Sequence, residues 1–252
     1  MLNRLIPEYT TILAQVFSSC GRYYVAGTLE GQLALWKVSQ LVARGEDNRG
    51  KELGRWSMGC AVFSLACTHK FLIVGGKEVV KCWAWETLTE GEEIGDCDWS
   101  IELKGKGEVN SIVILIDMGT EGKLVIGMGD SNSYIVDIET REIVRSLSGH
   151  TGYIHTVSCG RGETASTVAS GGEDGLVKLW DIRKAECAHT LIPKDKTELS
   201  RPKLGKYISA VALSQVHLYK NHYTISIRKR LFADRVSANK KLFADRKKVI
   251  CR

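Results

Sequence analysis

The chain has 252 residues with a formal net charge of +6, and 44% of its side chains are hydrophobic, which suffices for the core of one large β domain. No apolar run is long enough to cross a bilayer, and the first residues lack the apolar core and cleavage site of a signal peptide, so we expect neither a membrane span nor secretion. The positive charge is local: residues 228–252 hold ten Lys or Arg and two Asp, whereas the first 227 residues hold 25 basic and 27 acidic side chains.

One pattern of three short strands separated by turns occurs four times along the chain. The copies occupy residues 12–39, 61–86, 109–139 and 149–183. The third strand carries Trp36, Trp83, Val136 and Trp180 in the successive copies. These positions are 47, 53 and 44 residues apart, a period that is typical of a WD40 blade together with its loop. A β-sandwich with a turn roughly every ten residues is the alternative, but it does not explain the longer period.

The fourth copy shows the pattern most clearly, because it opens with Gly149-His150 and closes with Trp180-Asp181. Its strands are predicted at residues 153–159, 165–170 and 176–182, with an outer strand at 187–192. Four strands per copy predict an all-β fold: a WD40 β-propeller with four complete blades and the first strand of a fifth. Such a chain is incomplete relative to a seven-bladed ring.

The repeats divide the chain into predicted segments. Residues 1–11 form an N-terminal extension, residues 12–52, 53–102, 103–145 and 146–192 form the blades, residues 206–214 form the first strand of a fifth, and residues 215–252 form a basic, poorly ordered tail outside the propeller. A charged surface loop is predicted at residues 42–52.

Four polar or aromatic residues of the fourth copy are predicted to form a buried hydrogen-bond network. Asp174, in the tight turn between two strands, accepts from the imidazole of His150, which bonds Ser170, which in turn accepts from the indole N–H of Trp180. Ser, His and Asp together also occur in hydrolases, but a network anchored on Trp180 between strands leaves no exposed nucleophile. We therefore interpret the network as structural.

The remaining motifs of catalysis and metal binding are missing from the sequence. It contains no P-loop, no G-x-S-x-G and no HExxH. The eight cysteines form no C-x-x-C pair and stand mostly in apolar runs, which predicts buried, reduced thiols. We therefore predict no catalytic residue, no cofactor and no metal, and a body without a track for phosphates.

The pattern stops after residue 214, and a short direct repeat follows. The sequence LFADR occurs at residues 231–235 and again at 242–246, in the basic segment. Three interpretations remain open: a nucleic-acid-binding arm or localisation signal, a solvated and partly helical tail, or an alternative terminus that was never selected to pack. The third is favoured, because the break falls inside a blade.

Several stretches together resemble one family of WD40 proteins. They are FSSCGRYYVAGTLEGQLALW at 17–36, GGKEVVKCWAW at 75–85, EVNSIVIL at 108–115, LSGHTGYIHTV at 147–157 and SGGEDGLVKLWDIR at 170–183. The last alone is generic to WD40 repeats, whereas the KCWAW segment and the degenerate third copy narrow the resemblance to the THO complex subunit 6 family. The resemblance covers residues 11–214, so the chain resembles a truncated family member with a divergent C-terminal tail.

The resemblance implies a function as well as a fold. Members of this family are seven-bladed propellers that act as protein scaffolds in the THO/TREX assembly, which couples transcription and splicing to nuclear export of messenger RNA. It therefore implies a nuclear location and other THO/TREX subunits as partners. Since the body offers no track for phosphates, we expect contact with RNA only indirectly or through the basic tail.

A second interpretation rests on residues 168–183. This segment fits the box with which WD40 substrate receptors bind the adaptor of cullin-RING ubiquitin ligases. Asp181 and Arg183 are then the residues that contact the adaptor. Many WD40 repeats end in W-D-x-R for structural reasons alone, so both interpretations of this box remain open.

Overall fold

A computed structural model describes residues 11–42, 50–90, 94–117, 120–160, 166–184, 186–195, 207–215, 223–228 and 247–251. The chain divides into two compact units, Met1–Ile114 and Leu115–Arg252. The described residues form four antiparallel four-stranded sheets, a three-stranded sheet and little helix. The all-β prediction is confirmed.

The first unit contains two complete sheets. The first consists of β1 (Ile12–Phe17), β2 (Tyr23–Thr28), β3 (Gln32–Lys37) and β4 (Gly54–Ser57), and the second of β5 (Ser64–Cys67), β6 (Phe71–Gly75), β7 (Val79–Ala84) and β8 (Trp99–Glu102). In both, the spatial order follows the chain order, so neighbouring strands are consecutive in the chain and antiparallel. Short helices, Val38–Leu41 and Trp85–Glu90, follow the third strand of each sheet.

The third and fourth sheets follow the same order. The third consists of β9 (Val109–Asp117), β10 (Thr120–Met128), β11 (Asn132–Asp137) and β12 (Ile143–Ser148), and the fourth of β13 (Ile154–Cys159), β14 (Thr167–Gly172), β15 (Val177–Asp181) and β16 (Glu186–Leu191). A 3₁₀ turn, Pro193–Asp195, follows β16. The boundary between the two units falls within β9. We call the four sheets blades one to four.

Two blade boundaries differ from those that the sequence predicts. Strand β4 pairs with β3, so the first blade extends to Ser57 and not to residue 52. Strand β12 pairs with β11, so the third blade extends to Ser148 and not to residue 145. Outer strands are hard to place from sequence, because they follow loops of variable length and their side chains are largely exposed, as in β12 and β16.

The fifth sheet has more strands than the sequence predicts. Strand β17 (Ala210–Gln215) pairs with β18 (Tyr223–Arg228), which pairs with β19 (Lys247–Cys251). The sequence of β18, YTISIR, alternates apolar and polar residues and is rich in β-branched side chains, which is the strand signal that the prediction for residues 215–252 missed. Both LFADR copies, the predicted extension up to residue 10 and most of the predicted loop at 42–52 lie outside the described residues.

One glycine on the second strand of each blade receives a branched side chain from the following blade. These glycines are Gly27, Gly75, Gly127 and Gly171, and we call them the glycine positions. The side chains against them belong to Val62, Val109, Ile154 and Ile208, each with no exposed surface, and we call these the docking residues. A Cβ at any glycine position would overlap its docking residue, so only glycine permits this approach.

A backbone hydrogen bond accompanies this packing. Val62 N–H donates to Thr28 O over 3.0 Å, Val109 N–H to Gly76 O over 2.9 Å, and Ile208 N–H to Gly172 O over 2.9 Å. Ile208 also shares one apolar cluster with residues of the fourth blade, including Val177 and Leu179. The residues that precede β17 therefore dock on the fourth blade as the start of each earlier blade docks on its predecessor.

Candidate functional site

The four predicted network residues of blade four meet in one chain of hydrogen bonds. His150 Nδ1 lies 2.8 Å from Asp174 Oδ2, and His150 Nε2 lies 2.7 Å from Ser170 Oγ. Trp180 Nε1–H donates to the same Ser170 Oγ over 2.8 Å. His150 precedes β13, Ser170 belongs to β14, Asp174 to the turn after it, and Trp180 to β15. The network therefore joins two strands, the turn between them and the segment that leads into β13.

The protonation states follow from burial and partners. Burial lowers the pKa of His150 and outweighs the opposing effect of Asp174. Burial acts to raise the pKa of Asp174, but the backbone N–H groups of Leu176 and Thr151 and the His150 side chain outweigh it and lower that pKa. At neutral pH an ionised Asp174 can only accept, so His150 Nδ1 donates to it, and the neutral ring accepts at Nε2 from the Ser170 hydroxyl.

This arrangement does not suit nucleophilic catalysis. Ser170 has no exposed surface, and its hydroxyl donates to His150 while it accepts from Trp180. A substrate would reach Oγ only if the sheet opened. The geometry therefore fits a structural role, in which the network fixes the turn and the third strand of the blade.

The tryptophans of the first two blades use backbone acceptors instead. Trp36 Nε1–H donates to Gly50 O, and Trp83 Nε1–H donates to Gly95 O, both over 3.2 Å. The strand registers show why, because the position of Ser170 is taken by Ala26, Val74 and Ile126 in blades one to three. Sequence reasoning placed the indoles but missed these acceptors, since a carbonyl oxygen leaves no residue-type signal.

Blade three, in which Val136 replaces the tryptophan, contains an isolated hydroxyl. Ser133 has no exposed surface, and its Oγ has no hydrogen-bond partner among the described residues. It lies opposite Gly127, a place held by Leu33, Val80 and Val177 in the other blades.

We expect Ser133→Val to stabilise the chain by about 1 kcal/mol relative to Ser133→Thr, since the two side chains have the same shape and only threonine keeps the hydroxyl. Urea unfolding of both variants measures the difference. Equal midpoints would show that the hydroxyl is satisfied in solution.

The two residues of the predicted docking box are already paired with each other. Arg183 Nε donates to Asp181 Oδ1 over 2.9 Å, and Arg183 Nη2 donates to Asp181 Oδ2 over 2.7 Å. This hydrogen bonding lowers the pKa of Asp181 to about 2. The Arg183 side chain is nevertheless 72% exposed, so the guanidinium is held in one orientation at the surface.

The prediction of buried cysteines is wrong for most of them. The seven cysteines from Cys20 to Cys187 are free thiols, but only Cys82 among them is buried, whereas Cys20 and Cys187 are exposed. Cys20 follows the end of β1 in a turn, where hydrophobic patterning says little about exposure. Hydrogen bonds from the Ser18 hydroxyl and from Arg22 Nε lower the pKa of Cys20 to about 7.

Since the thiolate is the nucleophile, we expect iodoacetamide at pH 7 to alkylate Cys20 several-fold faster than Cys187. Cys187 is also exposed, but it lacks the hydrogen bonds that Ser18 and Arg22 make to Cys20. Peptide mapping by mass spectrometry at successive times measures both rates in one sample. Arg22→Gln should slow Cys20 alone, and equal rates in the unchanged chain would contradict the assignment.

Two further classes of site are absent from the part of the chain that the structure describes. No group of His, Cys, Asp or Glu in that part of the chain is arranged to hold a metal ion. Within the same residues, no helix combines the length and apolar character that crossing a membrane requires.

Comparison with known proteins agrees with the strand pattern. Residues 141–181, which cover the fourth blade up to Asp181, match the family model "WD domain, G-beta repeat". This match favours the propeller over the sandwich alternative.

Similarity to individual proteins extends further along the chain. A protein of Danio rerio named THO complex subunit 6 homolog is 31% identical over 206 residues, which are 81% of this chain and 63% of that protein. THO complex subunit 6 of Homo sapiens is 32% identical over 81% of this chain and 60% of its own length, and that of Drosophila melanogaster is 30% identical over 82% and 59%. The chain therefore spans about three fifths of these relatives.

Proposed function

Because the chain is a WD40-repeat homologue of THO complex subunit 6 proteins over four fifths of its length, we propose that it is a scaffold subunit of a THO complex. In this role it is nuclear and non-catalytic, and it contacts the other THO/TREX subunits. Through these protein contacts it helps to couple transcription and messenger RNA processing to nuclear export.

The observation that carries the proposal is the similarity to THO complex subunit 6 proteins over 81% of the chain. The geometry supports it, because the Ser-His-Asp set of blade four is hydrogen-bonded inside that blade and its hydroxyl is buried. Function then rests on surfaces and loops, as in most WD40 proteins. RNA is reached through partners or through the basic residues after 228, since the first 227 residues carry slightly more acidic than basic side chains.

Affinity purification from nuclear extract tests the proposal. The tagged chain, treated with ribonuclease to remove RNA-mediated contacts, should recover THO subunits by mass spectrometry. Gly75→Val, which disturbs the packing of the first unit, should reduce their recovery, whereas Gly95→Val should not, because a Cβ at Gly95 meets nothing within 4 Å. Recovery no greater than with an unrelated WD40 chain would contradict the proposal.

The alternative function is that of a substrate receptor, docked on a cullin-RING ligase adaptor through Asp181 and Arg183. The observation in its favour is the exposed guanidinium of Arg183, which Asp181 orients before any partner arrives. Arg183→Ala should then abolish recovery of the adaptor and leave THO subunits unchanged. Lys184→Ala, which removes an exposed charge next in the chain, is the matched control. Failure to recover the adaptor with the unchanged chain excludes this function.

A further inference from the structure

A cavity of about 450 Å³ lies at the end of the first blade where β1 leaves and β2 begins. It is lined by Gly21, Arg22, Tyr23, Lys37, Val38 and Ser39. Its two sides are tied together, because Val38 N–H donates to Arg22 O over 2.9 Å. The turn beside it is also fixed, since Gly21 N–H donates to Ser18 O and Tyr23 N–H donates to Ser18 Oγ. Its volume lies within the range of small-ligand and side-chain sites.

The backbone bond across this cavity recurs in every blade, which allows the four blades to be compared. Trp85 N–H donates to Lys70 O in blade two, Ile138 N–H to Gly122 O in blade three, and Ile182 N–H to Ser166 O in blade four. The position of Lys37 is therefore taken by Ala84, Asp137 and Asp181, and the position of Arg22 by Lys70, Gly122 and Ser166. Of the four blades, only blade one carries a cationic residue at both positions.

The charge at this position is reversed relative to blades three and four. Asp137 accepts hydrogen bonds from the backbone N–H groups of Glu139 and Thr140, and Asp181 accepts one from the backbone N–H of Arg183. A lysine has no acceptor, so Lys37 cannot take over this turn-forming role. Within the part of the chain that the structure describes, neither Lys37 nor Arg22 forms an ion pair with a carboxylate.

An ordered aromatic wall adds an apolar surface beside the cations. The Arg22 guanidinium carbon lies 5.8 Å from the centre of the Tyr23 ring. On blade two, the Trp85 ring stacks on Tyr23 with centroids 6.1 Å apart, and its Nε1–H donates to Thr68 O. Trp85 of blade two is equivalent in position to Val38 of blade one. Val38, which has the smaller side chain, lines the cavity.

We propose that this cavity binds carboxylate side chains of an acidic peptide segment in a protein partner. The two cations attract the carboxylates, while Tyr23 and Val38 contact the apolar part of the segment. A peptide fits better than RNA, because the two cations lie at one place and do not form a row that could follow a phosphate backbone. In addition, the first 227 residues have no excess of basic side chains. This inference goes beyond the scaffold role and does not rest on it, since any acidic partner serves.

Fluorescence anisotropy with the full chain tests the site, using a labelled Glu-rich peptide and a Gln-rich peptide of the same length. The Glu-rich probe should bind more tightly, and the double variant Arg22→Gln/Lys37→Gln should weaken its binding about tenfold. Lys51→Gln/Lys104→Gln removes the same charge at exposed positions outside the cavity and should weaken it about twofold or less.

Lys37→Asp provides a variant that should keep the fold, because aspartate is the residue of blades three and four at this position. It should abolish binding of the Glu-rich peptide and leave the unfolding midpoint nearly unchanged. Equal weakening by the cavity and control pairs, or equal binding of both peptides, would overturn the proposal. So would tighter, cavity-dependent binding of a short single-stranded RNA of matched charge. THO membership is tested separately, by recovery of its subunits.

Discussion

Replacement of Gly75 by valine should lower the free energy of unfolding of the chain by about 3 kcal/mol. The new Cβ would overlap both Val109 Cγ1 and Ser64 Oγ, and the Ser64 hydroxyl itself donates to Val109 O over 2.7 Å. Neither neighbour can move freely, because Val109 is fully buried and its N–H is bonded to Gly76 O. Urea unfolding followed by circular dichroism measures the loss.

A matched control and a rescue separate this effect from a general cost of removing glycine. Gly95→Val should change stability by less than about 1 kcal/mol, since Gly95 is exposed and its Cβ would meet no atom within 4 Å. Val109→Ala removes one of the overlapping methyl groups, so it should recover part of the stability when combined with Gly75→Val. If the Gly75 and Gly95 variants unfold at the same urea concentration, the glycine position is not close-packed.

Replacement of Ser170 by alanine should cost about 2–4 kcal/mol, because it leaves two buried groups without partners at once. Trp180 Nε1–H loses its acceptor and His150 Nε2 loses its donor, in a site where both side chains are buried. Trp36→Phe should cost less, since the Trp36 indole N–H donates to Gly50 O in an exposed location and water can replace the lost donor.

A double variant tests whether the network acts as a unit. Trp180→Phe removes the indole N–H that Ser170→Ala would leave without an acceptor. The cost of Ser170→Ala should therefore be smaller when Trp180→Phe is present than in the unchanged chain. Chemical denaturation followed by circular dichroism avoids the change in tryptophan content. Strict additivity of the two substitutions, or a cost of Ser170→Ala no larger than that of Trp36→Phe, would contradict the cooperative network.

The sequence allowed the blade repeats and the network residues to be predicted for the same reason. A WD40 blade places indole, imidazole, hydroxyl and carboxylate at fixed spacing, so residue type alone identifies His150, Ser170, Asp174 and Trp180. The homologues named THO complex subunit 6 confirm the family resemblance drawn from the same stretches.

Features that depend on backbone groups or on empty space could not be predicted in this way. The acceptors of Trp36 and Trp83 are carbonyl oxygens, and the glycine positions matter through what the following blade inserts there. The pair of cations Arg22 and Lys37 is distinctive only relative to the other three blades, which have the equivalent backbone bond but at most one cation at these positions. The strand Tyr223–Arg228, by contrast, has an alternation of apolar and polar residues that is visible in the sequence. The prediction missed it because the repeats marked by tryptophan end before it.

The glycine positions also bear on how the chain folds while it is being synthesised. Each docking residue follows its glycine by fewer than forty positions, from Gly27 with Val62 to Gly171 with Ile208. Such short separations let every new blade pack on the one that left the ribosome just before it, without waiting for the C-terminus. A nascent chain can therefore cover the docking face of each blade as soon as the next blade has left the ribosome.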